Sequence, residues 1–191
     1  MTRWAGSRGA AALAVVLGIA LGASACGSTA SSALVVPLAT SGGTLSPRGP
    51  SVGDVLVERV VDGDTIKVLL AGRSVTVRMI GIDTPETVKE GTPVQCFGPE
   101  ASDLARTALE GTRVTLEADP AQGPTDRYGR TLAYVWRQLP DGTLSQFNLE
   151  SVANGFARER QYGPSPNAWR TELRAAQRQA QSQGLGLWGA C

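Results

Sequence analysis

The stretch at residues 60–86 reads VVDGDTIKVLLAGRSVTVRMIGIDTPE and decides the fold of the chain around it. Apolar residues alternate with other residues on both sides of Gly72, which predicts two β-strands joined by a tight turn. A hairpin brings its two far ends together, so the start of the first strand should lie beside the end of the second. We therefore predict that Asp64 and Asp83, 19 residues apart in the sequence, are neighbours in space.

Converging carboxylates raise each other's pKa unless a cation lies among them, and this indicates a hard divalent ion. Calcium takes oxygen ligands only, from carboxylates, backbone carbonyls and water. Asp64 and Asp83 can supply the carboxylates. Pro85 biases Thr84 towards an extended conformation, so that the Thr84 carbonyl can be aimed by the backbone alone. Glu86 can face the same side without being a ligand.

Beyond the hairpin, the sequence predicts three further strands and about three helices. The strands are expected at residues 53–61, 113–118 and 131–137, and the helices at about 99–110, 145–154 and 165–182. Ser165 is the predicted N-cap of the last helix and Pro166 its first residue. This order predicts an α+β, mainly β fold, a five-stranded OB-type β-barrel with about three helices, with a β-sandwich as the alternative.

The first 25 residues have the pattern of a lipoprotein-type signal peptide. Arg3 and Arg8 precede an apolar run at residues 10–22, and Ala-Ser-Ala stands directly before Cys26. We predict a lipid on Cys26 that anchors the protein to the outer face of a bacterial membrane, with simple secretion as the alternative. Residues 26–51, rich in Ser, Thr, Ala, Gly and Pro, are the predicted flexible linker, and residues 52–191 the folded domain.

The three cysteines support this interpretation. If Cys26 carries a lipid, Cys96 and Cys191 remain as a pair, and an oxidising compartment favours a disulfide between them. Two unpaired cysteines are the alternative.

The charge balance excludes several classes of protein. Without Arg3 and Arg8 the chain has 16 basic and 17 acidic residues, so it is not a general polyanion binder, and any contact with nucleic acid must be local. The absence of histidine excludes Ser-His-Asp hydrolysis and imidazole-based zinc sites. Arginines also recur every four residues in the last predicted helix, where a solvated face is expected and phosphate tracking is the alternative: Arg170, Arg174 and Arg178.

Two arginines, Arg78 and Arg130, also lie at predicted strand ends and can act together with the acids. Arg78 lies near the end of the second hairpin strand, and Arg130 precedes the strand at 131–137. A metal ion and two guanidinium groups can neutralise the charge that develops on a phosphodiester during hydrolysis, while a free carboxylate positions water. Arginine suits this role because its planar fork binds two phosphate oxygens.

Six segments, in order and spacing, resemble the staphylococcal nuclease family: VVDGDTIKV, VRMIGIDTPET, CFGPEAS, TDRYGRTLAYV, NLESVANGFAR and GLGLW. The resemblance covers residues 52–188 and implies a secreted, calcium-dependent nuclease on an OB barrel. It implies calcium ligation by Asp64, Asp83 and the Thr84 carbonyl, with Asp62 bordering the ion through water. The further roles that it implies are a general base at Glu86, catalytic arginines at Arg78 and Arg130, and substrate contacts at Arg127 and Tyr128.

The chain departs from the family pattern at three places. The loop at residues 87–95 is short and poor in lysine, which bears on affinity for long duplex DNA. Tyr162 is the one tyrosine in residues 157–164 and the candidate for nucleotide stacking there. Cys96 and Cys191 have no counterpart in the family prototype.

These observations favour an extracellular, monomeric, calcium-dependent nuclease that cleaves DNA, with RNA as a second candidate substrate. The alternatives are a non-catalytic OB module that binds single strands and a calcium-stabilised adhesion domain. Neither alternative needs all five of the residues Asp64, Asp83, Glu86, Arg78 and Arg130.

Overall fold

The structure is a computed structural model and describes residues 45–88 and 91–191. Its strands are β1 (Ser51–Asp62), β2 (Thr65–Leu70), β3 (Arg73–Met79), β4 (Ile82–Asp83), β5 (Arg113–Glu117), β6 (Thr131–Gln138), β7 (Leu144–Gln146) and β8 (Arg158–Glu159). Its helices are α1 (Gly98–Leu109), α2 (Phe147–Ala153), α3 (Arg170–Ser182) and the single turn α4 (Leu187–Ala190).

Five strands close into a barrel in the order β3-β2-β1-β5-β6, and a parallel pairing of β3 with β6 completes the circle. The two-residue turn between β2 and β3 has positive φ at both Ala71 and Gly72, the backbone that matches the twist of a tight hairpin. Alternate residues such as Ile66 and Val68 are fully buried, so the period of two seen in the sequence points one face of the hairpin into the core. The predicted five-stranded barrel with three main helices is confirmed.

Aromatic residues fill the space between the barrel and α3. Trp136 of β6 and Trp169 lie edge to face with 5.5 Å between ring centroids, and both indole N–H groups donate to the buried Glu117 carboxylate. Leu173 and Ala176 of α3 complete this layer. Helix α3 is thereby docked on the barrel through one apolar face.

Two helices begin later than predicted. The helix predicted to start at Ser165 begins at Arg170, because Asn167 Oδ1 accepts hydrogen bonds from the Tyr134 hydroxyl and from the Trp169 N–H, which holds residues 167–169 in a non-helical turn. Residues 144–146 pair with β6 as a strand, so the middle helix begins at Phe147 instead of Ser145.

Described residues before the predicted boundary at residue 52 also belong to the folded domain. The backbone N–H groups of Arg48 and Gly49 both donate to Glu117 Oε1, and the Arg48 guanidinium lies 3.6 Å from the centroid of the Trp169 ring. Residues 45–50 therefore pack on the barrel, although their composition predicts a linker.

The predicted signal peptide at residues 1–25 and the predicted lipid site at Cys26 lie outside the described residues. Within the described part, no helix has the length and apolar character needed to cross a membrane.

Cys96 and Cys191 are joined by a disulfide, with Cα atoms 6.0 Å apart. Next to it, Phe97 adopts a left-handed conformation before α1, and its ring packs at a tilt against that of Phe156 with 5.2 Å between ring centroids. The segment that leads into α1 is thus tied to the C-terminus.

Candidate active site

One cleft of about 540 Å³ opens at the end of the barrel where β2 begins and β3 ends. Every residue that the sequence analysis proposed for catalysis, metal binding or substrate binding lines it. These residues are Asp62, Asp64, Arg78, Asp83, Thr84, Glu86, Arg127, Tyr128, Arg130 and Tyr162.

The hairpin register brings the first acids and the first arginine together. Thr65 pairs with Arg78 across β2 and β3, and the Met79 N–H donates to the Asp64 carbonyl at 2.9 Å. Asp64 stands directly before β2, and its N–H donates to Asp62 Oδ1 in the turn between β1 and β2. The polar ends of the strands therefore meet in the cleft while their apolar residues face the core.

Arg78 is the centre of this cluster and only 7% exposed. Its Nη2 lies 2.9 Å from Asp64 Oδ2 and 3.3 Å from Asp83 Oδ1, and its Nη1 donates to the carbonyls of Met79 and Ile82. The two carboxylates thus converge on a single guanidinium group.

The acids of this cluster outnumber its positive charges. Burial raises the pKa of the Asp64 carboxyl to about 7, against the lowering effect of Arg78, and the neighbouring charge of Asp62 raises it further. An additional cation beside Asp64 would favour its ionised form. Within residues 45–88 and 91–191, no group of three or more Asp, Glu, Cys or His side chains is arranged around a metal position. Asp64 and Asp83 are two carboxylates that could hold a metal ion together with backbone, water or substrate oxygens, a donor set that suits the irregular oxygen coordination of calcium.

Thr84 and Glu86 follow β4 on the same rim of the cleft. The Thr84 N–H donates to Asp64 Oδ2 at 3.0 Å, which fixes the turn beside the carboxylate. Glu86 Oε1 accepts the N–H groups of Thr87 and Val88 at 3.0 and 2.9 Å. The Glu86 backbone is held by Gln95, whose side-chain oxygen accepts the Glu86 N–H and whose N–H donates to the Glu86 carbonyl.

Arg130 reaches the cleft from the loop before β6. Its Nε donates to Asp126 Oδ2 at 2.7 Å, and its backbone N–H donates to Asp126 Oδ1 at 3.0 Å. Burial alone would raise the pKa of Asp126, but hydrogen bonds from Arg130 and from the Tyr128 N–H hold it below its usual value. Asp126 is thus an ionised carboxylate that holds Arg130 by both side chain and backbone.

Two tyrosines expose their rings at the cleft. Tyr128 is 68% exposed, and the guanidinium groups of Arg127 and Arg130 lie 4.8 and 5.4 Å from its ring centroid. Tyr162 is 61% exposed; its hydroxyl donates to Asp83 Oδ1 at 2.6 Å and accepts from Arg78 Nη2 at 2.8 Å. Exposed aromatic faces next to arginines suit the stacking of bases and the binding of phosphates.

Comparisons with known proteins agree with this geometry. The family model described as "Staphylococcal nuclease homologue" matches residues 76–190. The chain is 46% identical over 133 residues to the thermonuclease of Staphylococcus intermedius, a match that covers 70% of this chain and 74% of that protein. It is 45% identical over 132 residues to the thermonuclease of Staphylococcus hyicus, with 69% and 73% covered. It is 37% identical over 136 residues to endonuclease YncB of Bacillus subtilis (strain 168), with 71% and 61% covered. The chain belongs to the staphylococcal nuclease family.

This staphylococcal nuclease family member is a nuclease, and its cleft is the candidate site of phosphodiester cleavage. Three residues that line or support the site were not predicted from the sequence. Asp126 reads in the sequence as an ordinary turn residue, Gln95 lies in a loop with no recognisable pattern, and Arg160 lines the cleft from the segment after β8. The one available signal was the run Asp126-Arg127-Tyr128-Gly129-Arg130, in which an acid stands four residues before the predicted catalytic arginine.

Proposed function

We propose that this nuclease is calcium-dependent and hydrolyses phosphodiester bonds of DNA, with RNA as a second substrate. The observation that carries the proposal is the convergence of Asp64 and Asp83 on Arg78 in a cleft that also holds Glu86 and Arg130. Asp64, Asp83 and the Thr84 carbonyl would hold the ion, and Asp62 would border it through water. Bound calcium would supply positive charge against the phosphate oxygens, as a Lewis acid does.

Side chains of the protein supply the general base and the groups that stabilise the developing charge. Glu86 acts as general base and takes the proton of the attacking water; the Thr87 and Val88 N–H groups hold its Oε1 on one side. Arg78 and Arg130 bind the phosphate oxygens and stabilise the charge that develops on them. Each guanidinium is oriented by acids before substrate binds, Arg78 by Asp64 and Asp83 and Arg130 by Asp126.

Substrate binding is assigned to Arg127, Tyr128 and Tyr162. The Arg127 Nη2 donates to the Tyr128 hydroxyl at 2.7 Å, which presents a guanidinium and a ring side by side. Both tyrosine rings are exposed, and stacking on such rings requires bases that are not paired. Single strands and locally opened duplexes are therefore the expected substrates.

For location, we propose secretion with lipid attachment at Cys26, which makes the nuclease a cell-surface enzyme anchored to the outer face of a bacterial membrane. The motif at residues 23–26 and the Cys96–Cys191 disulfide support an oxidising exterior. We expect a monomer. Expression with a labelled fatty acid tests the anchor: the wild type should carry label and Cys26→Ser should not, and label on both variants would contradict the assignment.

Calcium dependence is tested with the purified full-length protein on single-stranded DNA, duplex DNA and RNA. Calcium should restore cleavage that a chelator abolishes, and Asp83→Asn should require a higher calcium concentration for half-maximal rate. Calorimetric titration of calcium in the presence of nucleotide gives a readout that is separate from turnover. Cleavage that persists in chelator, or unchanged calcium titrations in Asp83→Asn, would contradict the proposal.

A further inference from the structure

The cleft contains four arginines, and they divide into two kinds. Arg78 and Arg130 each form ion pairs with acids of the cleft. Arg127 and Arg160 line the same cleft, and within the described part of the chain neither forms an ion pair. Guanidinium groups that are not neutralised by a carboxylate attract a polyanionic strand more strongly.

Each of the two unneutralised arginines lies beside an exposed tyrosine. The Arg127 guanidinium is 4.8 Å from the centroid of the Tyr128 ring, and the Arg160 guanidinium is 5.7 Å from that of Tyr162. Each tyrosine in turn contacts one of the candidate catalytic arginines. Tyr128 lies 5.4 Å from the Arg130 guanidinium, and Tyr162 lies 5.2 Å from the Arg78 guanidinium.

The Arg160–Tyr162 pair is fixed to the acidic end of the cleft. The Arg160 N–H donates to the Gly81 carbonyl at 2.9 Å, and the preceding β8 pairs with β4, which contains Asp83. The Tyr162 hydroxyl bonds to Asp83 and Arg78. The two arginine–tyrosine pairs therefore flank the reaction centre, one beside Arg130 and the other beside Arg78.

We infer that Arg160 binds a phosphate of the substrate strand next to the phosphodiester that is cleaved, on the side away from Arg127. This inference rests on the proposed roles of Arg78 and Arg130. A strand whose cleaved phosphate lies between these two arginines places its flanking phosphates towards Arg127 in one direction and towards Arg160 in the other. The preferred substrate is thus an oligonucleotide with phosphates on both sides of the cleaved bond.

The test compares two single-stranded substrates, a dinucleoside monophosphate and a hexanucleotide. The dinucleoside monophosphate has one phosphodiester and no flanking phosphate for Arg160 to bind. In Arg160→Ala, kcat/KM for the hexanucleotide should fall about tenfold, mainly through KM, whereas kcat/KM for the shorter substrate should change less than about twofold. Arg160→Lys keeps the positive charge but loses the planar guanidinium. Its kcat/KM for the hexanucleotide should lie between the values of the wild type and of Arg160→Ala.

Arg158→Ala is the matched control. It removes the same charge from the same segment, but the Arg158 guanidinium lies over Trp188 and does not line the cleft. Its rates on both substrates should match the wild type. An equal loss on both substrates in Arg160→Ala, or no loss on the hexanucleotide, would overturn the inference.

A binding experiment separates this inference from the proposed catalytic function. With chelator present, fluorescence anisotropy measures binding of a labelled hexanucleotide without cleavage. Arg160→Ala should weaken binding about tenfold and lower the slope of log K against log salt by about 0.7, the value for one lost phosphate contact on a single strand. If the wild type binds in this way but does not cleave with calcium, the proposed function fails and the Arg160 subsite stands. An unchanged affinity and slope would overturn the subsite whatever the activity.

Discussion

Arg78 and Arg130 differ in how firmly the protein holds them. Arg78 is buried and bonded to two carboxylates, two backbone carbonyls and a tyrosine hydroxyl, so its removal would leave buried oxygen atoms without donors. Arg130 is partly exposed and held by Asp126. Arg130 is therefore the arginine whose substitution reports on chemistry rather than on folding.

Arg130→Ala should lower kcat by about 10²-fold or more, because a preorganised charge contact to the transition state is worth about 3 kcal/mol. Thermal unfolding should remain close to that of the wild type, since the Arg130 backbone N–H can still bond to Asp126. Single-turnover cleavage of a labelled oligonucleotide gives the rate, and Arg174→Ala on the exposed side of α3 is the charge-matched control. A rate near that of the wild type would remove Arg130 from the mechanism.

Asp126→Asn keeps the shape of the side chain but removes the charge that orients Arg130, and kcat should fall about tenfold. In an Arg130→Ala background the same change should have no further effect on kcat, and additive losses would show that Asp126 acts through another group.

The lowered pKa of Asp126 also sets a pH dependence for stability. A carboxyl whose pKa is lower in the folded state stabilises that state above its unfolded pKa, and the contribution is lost as pH falls through the folded value. The difference in stability between the wild type and Asp126→Asn should thus be constant at neutral pH and shrink below about pH 4. Urea unfolding at several pH values measures it; a difference that grows in acid would contradict the assignment.

At the level of single residues, sequence could identify the charged groups but not their partners. The predicted roles of Arg78 and Arg130 follow from their positions at strand ends, which depend on local alternation alone. The bond from Arg130 to Asp126 depends on the conformation of a loop, where Asp and Gly are compatible with several turns. Arg160 enters the cleft only because β8 pairs with β4, a contact between segments far apart in the sequence.

Secondary-structure elements could be predicted where apolar residues recur periodically. The prediction failed where hydrogen bonds of buried polar groups override that pattern. The five barrel strands follow from alternation. The start of α3 does not, because Asp119 Oδ2 accepts the N–H of Ala168 and Asn167 accepts that of Trp169, so these donors are satisfied outside a helix. A Ser-Pro pair at residues 165–166 is a good helix start by local rules, but the tertiary bonds of Asn167 override it.

The segment before α1 links the disulfide to the candidate general base. Gln95 bonds to both the N–H and the carbonyl of Glu86, and the next residue, Cys96, is bonded to Cys191. We expect kcat of the double variant Cys96→Ser/Cys191→Ser to fall several-fold. Without the disulfide, Gln95 is freer to move, and its two hydrogen bonds hold Glu86 less well. Calcium affinity should be unchanged, since Asp64 directly precedes β2 and Asp83 lies in β4, which is held by its pairing with β8.

The measurement is kcat well below the unfolding temperature, because loss of a 95-residue loop closure should itself cost about 4 to 5 kcal/mol of stability. Gln95→Ala with the disulfide intact is the comparison, and it should reproduce the loss in kcat with a much smaller loss of stability. If Gln95→Ala has the kcat of the wild type, the Gln95 side chain does not position Glu86.

Over the whole molecule, the buried Glu117 carboxylate joins three parts of the chain. It accepts the indole N–H groups of Trp136 and Trp169 and the backbone N–H groups of Arg48 and Gly49, and it is 1% exposed. A buried carboxylate needs such donors, because desolvation without them is costly. Residues 45–50 are therefore a structural part of the barrel, although the composition of residues 26–51 predicts a flexible linker.

The contribution of this segment is measured by comparing chains that begin at residue 45 and at residue 52. The shorter chain loses the two backbone donors to Glu117 and the bond from the Ala118 N–H to the Pro50 carbonyl. Because hydrogen bonds to a charged group are each worth about 1.5 to 3 kcal/mol, the free energy of unfolding should fall by about 3 kcal/mol or more. In a Glu117→Gln background the two chains should differ less in their free energy of unfolding, since removing those donors from a neutral amide costs less than removing them from a carboxylate. Urea unfolding of all four proteins gives the values, and equal stability at both lengths would show that residues 45–51 act only as a tether.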